Sequence, residues 1–223
     1  MGVVIAAGGM GRRMRSRKPK QFLEVNGKPI LQLTLEVFDR HPDVHEIVVV
    51  APSDHVRTAE SIIRRAALRK VSHVVVGGSE RQYSVRNGLL SFEIEPEIVL
   101  VHDAVRPFID RSVISSVIRK ARRHGAAVVG VPVSDTLKIG RAGFYTRTLD
   151  RTNVWAVQTP QGFRFDLLLR AHRAAERNGY LGTDEASLVE RLRVPVAIVE
   201  GSSRNIKITT GEDLALAKAL LRS

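Results

Sequence analysis

The sequence lacks cysteine altogether and is poor in aromatic side chains and long apolar runs. Its 223 residues include no Cys, and Phe, Trp and Tyr together make up 5%. Without thiols the chain has no disulfide, thiolate zinc site, iron–sulfur cluster or cysteine nucleophile. No apolar run reaches the roughly 18 residues of a membrane helix, so no membrane partner is expected. The chain enters a strand-like apolar run before its first basic residues, the reverse of a secretory signal, and we expect a cytoplasmic protein.

Negative charge is also scarce relative to positive charge. Lys and Arg number 35 against 23 Asp and Glu, which gives a formal net charge of +12. Such an excess suggests an anionic partner, either nucleic acid, acidic membrane or phosphorylated small molecules, unless the arginines simply coat solvated helix faces. The few aromatic residues offer no stacking platform for single strands, and no recognition-helix or zinc pattern is present. We therefore expect no nucleic acid partner.

Short β-branched runs alternate with segments of helical periodicity. The runs span residues 3–7, 47–51, 74–76, 98–102, 126–131 and 196–199, and the helical segments span residues 29–40, 55–70 and 112–124. Most runs are continuously apolar rather than alternating, which is typical of strands covered on both faces. The alternation predicts one α/β domain over residues 1–223, with a Rossmann-like, mostly parallel twisted sheet and helices on both faces.

Residues 134–155 break this alternation. They contain Gly140 and Gly143, several Thr and scattered Arg, and they show no helical period. We predict a protruding β-arm with a hairpin turn near residues 141–143. A segment this long outside the sheet is usually functional.

A glycine-rich loop follows the first predicted strand. Ala7, Gly8, Gly9 and Gly11 are followed at once by Arg12, Arg13, Arg15, Arg17, Lys18 and Lys20. Backbone N–H groups exposed by such a loop, joined by mobile cations, suit a polyphosphate. The loop lacks the Gly-Lys-Ser/Thr of a Walker A motif, and its glycine spacing does not match the dinucleotide fingerprint.

This loop and seven later blocks carry a family resemblance. The loop is continued by Pro19-Lys20-Gln21, and the later blocks are residues 77–85 (GGSERQYSV), 101–107 (VHDAVRP), 131–136 (VPVSDT), 150–151 (DR), 158–161 (QTPQ), 183–187 (TDEAS) and 205–207 (NIK). Over essentially its whole length the chain resembles the sugar-phosphate nucleotidyltransferases, and more narrowly the 2-C-methyl-D-erythritol 4-phosphate cytidylyltransferases of non-mevalonate isoprenoid biosynthesis. The implied reaction transfers CMP from CTP to that phosphosugar and releases pyrophosphate.

The resemblance assigns catalytic roles to four cations. Arg13 and Lys20 resemble the family's transition-state cations, and Arg151 and Lys207 resemble the pair that positions the acceptor phosphate. The nucleophile of this reaction is already an anion, so it needs no general base. The difficulty lies in charge repulsion and charge build-up, which positioned cations and a metal ion relieve.

Asp103 is the candidate metal ligand and also part of the nucleotide site. It ends the strand predicted over residues 98–102, where a carboxylate would hold Mg²⁺ together with the nucleotide phosphates. The resemblance places Gly77, Gly78 and Ser84 against the cytosine and ribose. Arg106 is a candidate for the acceptor phosphate or for pairing with Asp103.

The remaining acceptor candidates are hydroxyl donors: Thr136, Thr159 and Thr183. The resemblance further implies a homodimer in which each arm helps to complete the neighbouring site. Two alternatives remain open, a pentitol phosphate cytidylyltransferase acting on ribitol 5-phosphate and, suggested only by the charge, a non-catalytic nucleic-acid-binding protein.

Overall fold

The structure, a computed structural model, describes residues 1–9 and 19–222. The predicted site residues Gly11 and Arg13 lie outside the described residues. The strands are β1 Gly2–Ala6, β2 Glu24–Val25, β3 Lys28–Pro29, β4 Glu46–Ala51, β5 Val71–Val76, β6 Ile98–Asp103, β7 Ala126–Pro132, β8 Lys138–Arg141, β9 Phe144–Thr148, β10 Trp155–Arg164 and β11 Ala197–Glu200. The helices are α1 Ile30–Asp39, α2 Val56–Arg65, α3 Arg81–Leu89, α4 Arg111–His124, α5 Phe165–Arg177, α6 Glu185–Glu190 and α7 Gly211–Leu220, with 3₁₀ turns at Lys20–Phe22 and Ser53–His55.

Seven strands form the central sheet in the order β11-β7-β10-β6-β1-β4-β5. Strand β1 pairs in parallel with β4 and β6, β4 pairs in parallel with β5, and β11 pairs in parallel with β7. Only β10 among these seven runs antiparallel to its neighbours, β6 and β7. The predicted mostly parallel α/β fold is confirmed.

The two larger parts of the hydrophobic core described by the structure lie on the two faces of the sheet, because successive side chains of a strand point to opposite faces. On one face, Val3 and Ile5 of β1 belong to a buried cluster with residues of α1, α2 and α4. On the other face, Val4 belongs to a second buried cluster with residues of α3, α5 and α6. The predicted cover of helices on both faces is therefore confirmed.

Strand β10 was not predicted because its sequence contains Pro160 and Gly162, which are unusual inside a central strand. The register between β10 and β7 shifts between Gln158 and Gln161, so Pro160 falls in an irregularity of the ladder. A proline is tolerated there because no ladder hydrogen bond needs its missing N–H. The first half of β10 lies at the same edge of the sheet as the carboxyl ends of its antiparallel neighbours β6 and β7, where the loops converge.

The predicted helix over residues 55–70 is wrong at its end. Helix α2 stops at Arg65, and Ala67 has a φ of 50°, which turns the chain towards β5. Predicted helices 29–40 and 112–124 match α1 and α4 within one or two residues at each end.

The segment between β7 and β10 carries a two-stranded hairpin of β8 and β9. Its turn lies at Ala142 and Gly143, which have φ angles of 51° and 86°. Every residue of β8 and β9 is exposed, and Phe144 and Tyr145 are 77% and 79% exposed. Trp155, predicted as the last residue of the arm, opens β10 and pairs with Pro132. In the described part of the chain, no helix is long and apolar enough to cross a membrane.

Candidate active site

A cleft of about 380 Å³ opens at the carboxyl ends of β1 and β6. These two strands are neighbours, with Ala6 opposite Asp103. The chain runs outward from β1 through β4 and β5 on one side and through β6 on the other, and ligands of open α/β sheets bind at such a switch point. Among the described residues, the wall consists of residues 6–9, 20, 21, 78–81, 84, 103–105 and 207.

The first wall of the cleft is the start of the glycine-rich loop and the 3₁₀ turn that holds Lys20. The Ala7 N–H donates to Val50 O at 2.8 Å, which continues the sheet by one residue. The buried Gln21 side-chain amide donates to Ala7 O at 2.5 Å and so ties the 3₁₀ turn to the loop. The Lys20 side chain passes close to Gly9, since a Cβ placed on Gly9 would lie 4.0 Å from Lys20 Cε. These contacts place the Lys20 side chain beside the glycine-rich loop.

The second wall is the turn between β5 and α3, held by Ser84. Ser84 Oγ accepts from the Gly78 N–H at 3.1 Å and donates to Glu80 O at 3.0 Å. A Cβ on Gly78 would lie 2.5 Å from Tyr83 Cβ, so this approach requires glycine. Gly77 is not part of the described wall, and a Cβ on it would lie 2.9 Å from Ser84 Oγ. The hydroxyl of Ser84 therefore shapes the turn from within.

A charged group that we call the Asp103 cluster lies at the floor of the cleft: Asp103, Lys207 and Arg81 line the cleft, and Arg106 pairs with Asp103 from outside the described wall. Asp103 is only 6% exposed. Lys207 Nζ lies 2.8 Å from Asp103 Oδ2, Arg106 Nε lies 3.5 Å from the same oxygen, and Arg81 Nη2 lies 3.6 Å from Oδ1. Burial alone would raise the pKa of Asp103, but Lys207, Arg81 and Arg106 hold this pKa well below its usual range. The carboxylate is therefore ionised at neutral pH.

Two buried side chains support Asp103 from within the sheet. The Asp103 N–H donates to Thr159 Oγ1 at 3.1 Å, and Thr159 Oγ1 lies 3.1 Å from His102 Nδ1. Burial lowers the pKa of His102 to about 4, so its ring is neutral, and its other nitrogen lies 3.0 Å from Arg106 O. His102 itself is fully buried. Thr159, predicted to bind the acceptor, is buried and turns its hydroxyl to this backbone amide.

The segment after β11 brings Lys207 to the cluster. The Ile208 N–H donates to Val105 O at 3.0 Å, and the Ile208 side chain is fully buried. The chain is thereby fixed alongside the end of β6, and Lys207, on the opposite side of the segment, reaches Asp103. Arg106 is largely buried and donates to Asn205 O at 2.7 Å, so it braces the same segment.

The structure brings together most of the residues predicted for the nucleotide and part of those predicted for the acceptor. The wall includes the predicted residues Ala7, Gly8, Gly9, Lys20, Gly78, Ser84, Asp103 and Lys207. Thr136 and Arg151 lie on the exposed arm segment and Thr183 is exposed ahead of α6, and none of the three belongs to the described wall.

Sequence reasoning missed the contributions of Gln21 and Glu185. Gln21 fixes the turn that carries Lys20, and Glu185 binds Arg81. Both residues lie inside the segments that carry the family resemblance, and this position marks them as candidates for the site. The sequence does not show which side chains meet, because Arg81 and Glu185 are more than one hundred positions apart.

The donor set at the cleft fits a divalent cation that takes most of its ligands from elsewhere. The described residues contain no group of three or more His, Cys, Asp or Glu side chains able to hold a metal ion. Asp103 offers one ionised carboxylate at the floor of the cleft. Mg²⁺ commonly binds one or two protein carboxylates and completes its shell with phosphates and water. A phosphate-bearing ligand in this cleft would supply those groups.

Comparison with known proteins agrees with this geometry. The family model described as 2-C-methyl-D-erythritol 4-phosphate cytidylyltransferase (IspD) matches residues 1–223. A protein of that name from Geobacillus kaustophilus (strain HTA426) is 47% identical over 221 residues, which cover 99% of this chain and 96% of the relative. Another from Syntrophus aciditrophicus (strain SB) is 47% identical, with 98% and 94% covered.

Solved structures give the same result at the level of the fold. The 4-diphosphocytidyl-2C-methyl-D-erythritol synthase of Anaerococcus prevotii DSM 20548 superposes with a TM-score of 0.86 at 30% identity, covering 100% of this chain and 96% of that one. The 2-C-methyl-D-erythritol 4-phosphate cytidylyltransferase of Thermus thermophilus superposes with a TM-score of 0.80 at 37% identity, covering 100% and 98%. The chain belongs to the 2-C-methyl-D-erythritol 4-phosphate cytidylyltransferase family.

Proposed function

We propose that this protein transfers CMP from CTP to 2-C-methyl-D-erythritol 4-phosphate and releases pyrophosphate. The observation that carries the proposal is the Asp103 cluster, which lies in one cleft with the glycine-rich loop and Lys20. Two polyanions have to meet in this reaction, and the cleft offers them cations on both sides of a single carboxylate. The product is 4-diphosphocytidyl-2-C-methyl-D-erythritol, a step of non-mevalonate isoprenoid precursor biosynthesis.

The chemical step is an in-line displacement at phosphorus. A phosphate oxygen of the acceptor forms a bond to the α-phosphorus of CTP. The bond between that phosphorus and the oxygen that bridges it to the β-phosphorus breaks, and pyrophosphate leaves with this oxygen. Lys20 and Arg13 neutralise the negative charge that grows on the phosphoryl oxygens. A lysine acts there as a point charge, whereas an arginine holds two oxygens at once.

The nucleotide lies against the two glycine turns in this proposal. Gly8, Gly9 and Gly11 bind the triphosphate through backbone N–H groups next to Ala7, whose own N–H is bonded to Val50 O. The second turn contacts the cytosine and ribose. That second contact involves Gly77, Gly78 and Ser84. Support comes from Ser84, whose hydroxyl already fixes the Gly78 N–H and so sets the shape that a base would meet.

Magnesium is the cofactor in this proposal, and Asp103 is the side chain that would hold it. When bound, the ion screens the triphosphate charge and stabilises the charge developing in the transition state. Asp103 meets the requirement for a ligand that is ionised at neutral pH, because three cations surround it. Lys207 lines the cleft and lies within reach of both the same carboxylate and an incoming acceptor phosphate, and Arg106 pairs with that carboxylate from outside the described wall.

The acceptor site is completed by a second copy of the chain in this proposal. Arg151 and Thr136 belong to the segment that protrudes from the sheet, and neither belongs to the described wall of this chain's own cleft. Phe144 and Tyr145 expose apolar surface on the same arm, which a partner would cover. A homodimer joined through the arms therefore places Arg151 and Thr136 at a neighbouring cleft, while Thr183 and Lys207 act from the cleft's own subunit.

A cytoplasmic location and the lack of nucleic acid partners stay predictions from the sequence.

Acceptor and nucleotide selectivity test the function directly. Pyrophosphate release is expected from CTP with methylerythritol 4-phosphate and not with ribitol 5-phosphate, and CTP is expected to be preferred to ATP, GTP and UTP. A coupled phosphate assay with purified protein and Mg²⁺ measures all the pairs. Preference for ribitol 5-phosphate would support the pentitol alternative, and no release with any acceptor would refute the enzymatic function.

Replacement of Lys20 tests its place in the transition state. We expect Lys20→Ala to lower kcat by roughly 10²–10³-fold, the usual loss for one positioned stabilising group. The matched control is Lys28→Ala, which removes an exposed lysine bound to Glu36 and is expected to keep kcat. Steady-state kinetics at saturating CTP and acceptor give both values, and an unchanged kcat for Lys20→Ala would contradict the assignment.

Replacement of Asp103 tests the metal site. We expect Asp103→Asn to raise the Mg²⁺ concentration for half-maximal activity by at least about tenfold, since even outer-shell changes commonly cost that much in metal affinity. Asp54→Asn, at an exposed carboxylate, is the control. If a magnesium titration of Asp103→Asn superimposed on that of the unmodified protein, Asp103 would have only a structural role.

The arm proposal predicts a dimer in solution. Light scattering at micromolar concentration is expected to give twice the mass of the chain, and Phe144→Ser with Tyr145→Ser is expected to shift the mass towards that of one chain, because the exposed apolar surface is lost. Full activity of a protein that scatters as a monomer would reject the proposal that the arm completes a neighbouring site.

A further inference from the structure

A buried glutamate lies beneath the cleft and has no part in the mechanism described above. Glu185, the first residue of α6, is 1% exposed. Its Oε2 accepts from Arg81 Nη1 at 2.5 Å. A buried carboxylate is costly unless it is paired, and here the partner is a side chain of the cleft wall. The pair joins α6 to the beginning of α3.

The same guanidinium reaches the Asp103 cluster from one side. Arg81 Nη2 lies 3.6 Å from Asp103 Oδ1, whereas Lys207 and Arg106 approach the other oxygen, Oδ2. Asp103 thus separates two halves of the cleft floor. Arg81 belongs to the half formed by the β5–α3 turn, the predicted nucleotide side, and Lys207 belongs to the half predicted for the acceptor.

The backbone that carries Glu185 is firmly attached to the sheet. Asp184 caps α6 by accepting from the Ser187 N–H at 3.0 Å, and it also accepts from Gln161 Nε2 of β10 at 2.7 Å. The Ala186 N–H donates to Gln161 Oε1 at 3.3 Å. The backbone of Glu185 is therefore held in place. Arg81 has a long side chain that is 31% exposed and that would sample many rotamers without its bond to Glu185.

We propose that Glu185 is a positioning residue for nucleotide binding: it holds the Arg81 guanidinium against Asp103 on the nucleotide side of the cleft. The inference rests on the proposed function, which supplies the identity of the nucleotide. An arginine fixed by one carboxylate presents its remaining N–H groups in a set direction and loses less conformational entropy when a phosphate or a base binds. Glu185 itself does not touch the substrate.

The test is the Glu185→Gln variant, which keeps the shape of the side chain and removes its charge. We expect KM for CTP to rise about tenfold, in line with the loss of a charged hydrogen bond, with KM for the acceptor changed by less than about twofold. Isothermal calorimetry with CTP alone is expected to show the same loss of affinity. A general structural defect would instead affect both substrates.

Two variants of the same helix serve as controls. Glu190→Gln removes an exposed charge from α6, and Leu188→Ala removes buried apolar atoms from it. We expect Glu190→Gln to change neither KM. We expect Leu188→Ala to lower Tm and to leave the ratio of the two KM values unchanged.

A double variant decides whether Glu185 acts through Arg81. Adding Glu185→Gln to Arg81→Met is expected to produce no further rise in KM for CTP, because the group that Glu185 orients is already gone. If Glu185→Gln does not fold, Arg81→Lys keeps the positive charge without the two-pronged geometry and is expected to raise KM for CTP alone.

An unchanged KM for CTP in Glu185→Gln, or in Arg81→Lys, would overturn the proposal, as would independent effects in the double variant. Failure of the proposed function would be seen separately, as an unmodified protein that turns over no acceptor. Calorimetry with CTP alone would still compare the CTP affinity of that protein with the affinities of the variants. Equal CTP affinity in all of them would reject the role of Glu185.

Discussion

The site depends on one buried carboxylate that is held by three cations. Asp103 lies at the end of β6 with almost no exposed surface, and Lys207, Arg106 and Arg81 reach it from three separate parts of the chain. Loss of the anion would leave three positive charges close together, and loss of a cation would weaken the balance that keeps the carboxylate ionised. The arrangement has a net positive charge even with Glu185 counted, which suits a cleft for two polyanions.

The topology of the sheet explains how these parts meet. Strands β1 and β6 are parallel neighbours, so the glycine-rich loop and Asp103 emerge side by side. The reversed strand β10 brings its first half to the same edge, where Thr159 accepts the Asp103 N–H. The segment after β11 then runs past Val105 and delivers Lys207. Residues from distant points of the sequence converge because each leaves the sheet at one edge.

The parts of this arrangement that depend on local pattern could be predicted from the sequence. The apolar runs at β1, β4, β6 and β7 and the periodicity of α1 and α4 predict the α/β fold. Asp103 comes directly after the apolar run over residues 98–102, so its place at the strand end could also be predicted. The pairing of Arg81 with Glu185 depends on two long side chains that meet only after α3 and α6 pack. Strand β10 contains Pro160 and Gly162, which local rules interpret as breaks. Thr159 shows the remaining limit, since a hydroxyl pattern does not tell whether it faces a ligand or a backbone amide.

The arm leaves and re-enters the sheet between two strands that already pair with each other, at Pro132 and Trp155. Its two ends are therefore held together by the β7–β10 ladder, whatever the hairpin does. The entropy of closing a flexible loop grows only with the logarithm of its length, about 0.6 kcal/mol for each doubling. The arm can therefore lengthen, shorten or change its sequence at little cost to the folding of the sheet. The length of the hairpin can thus change while the strands that position the cleft stay paired.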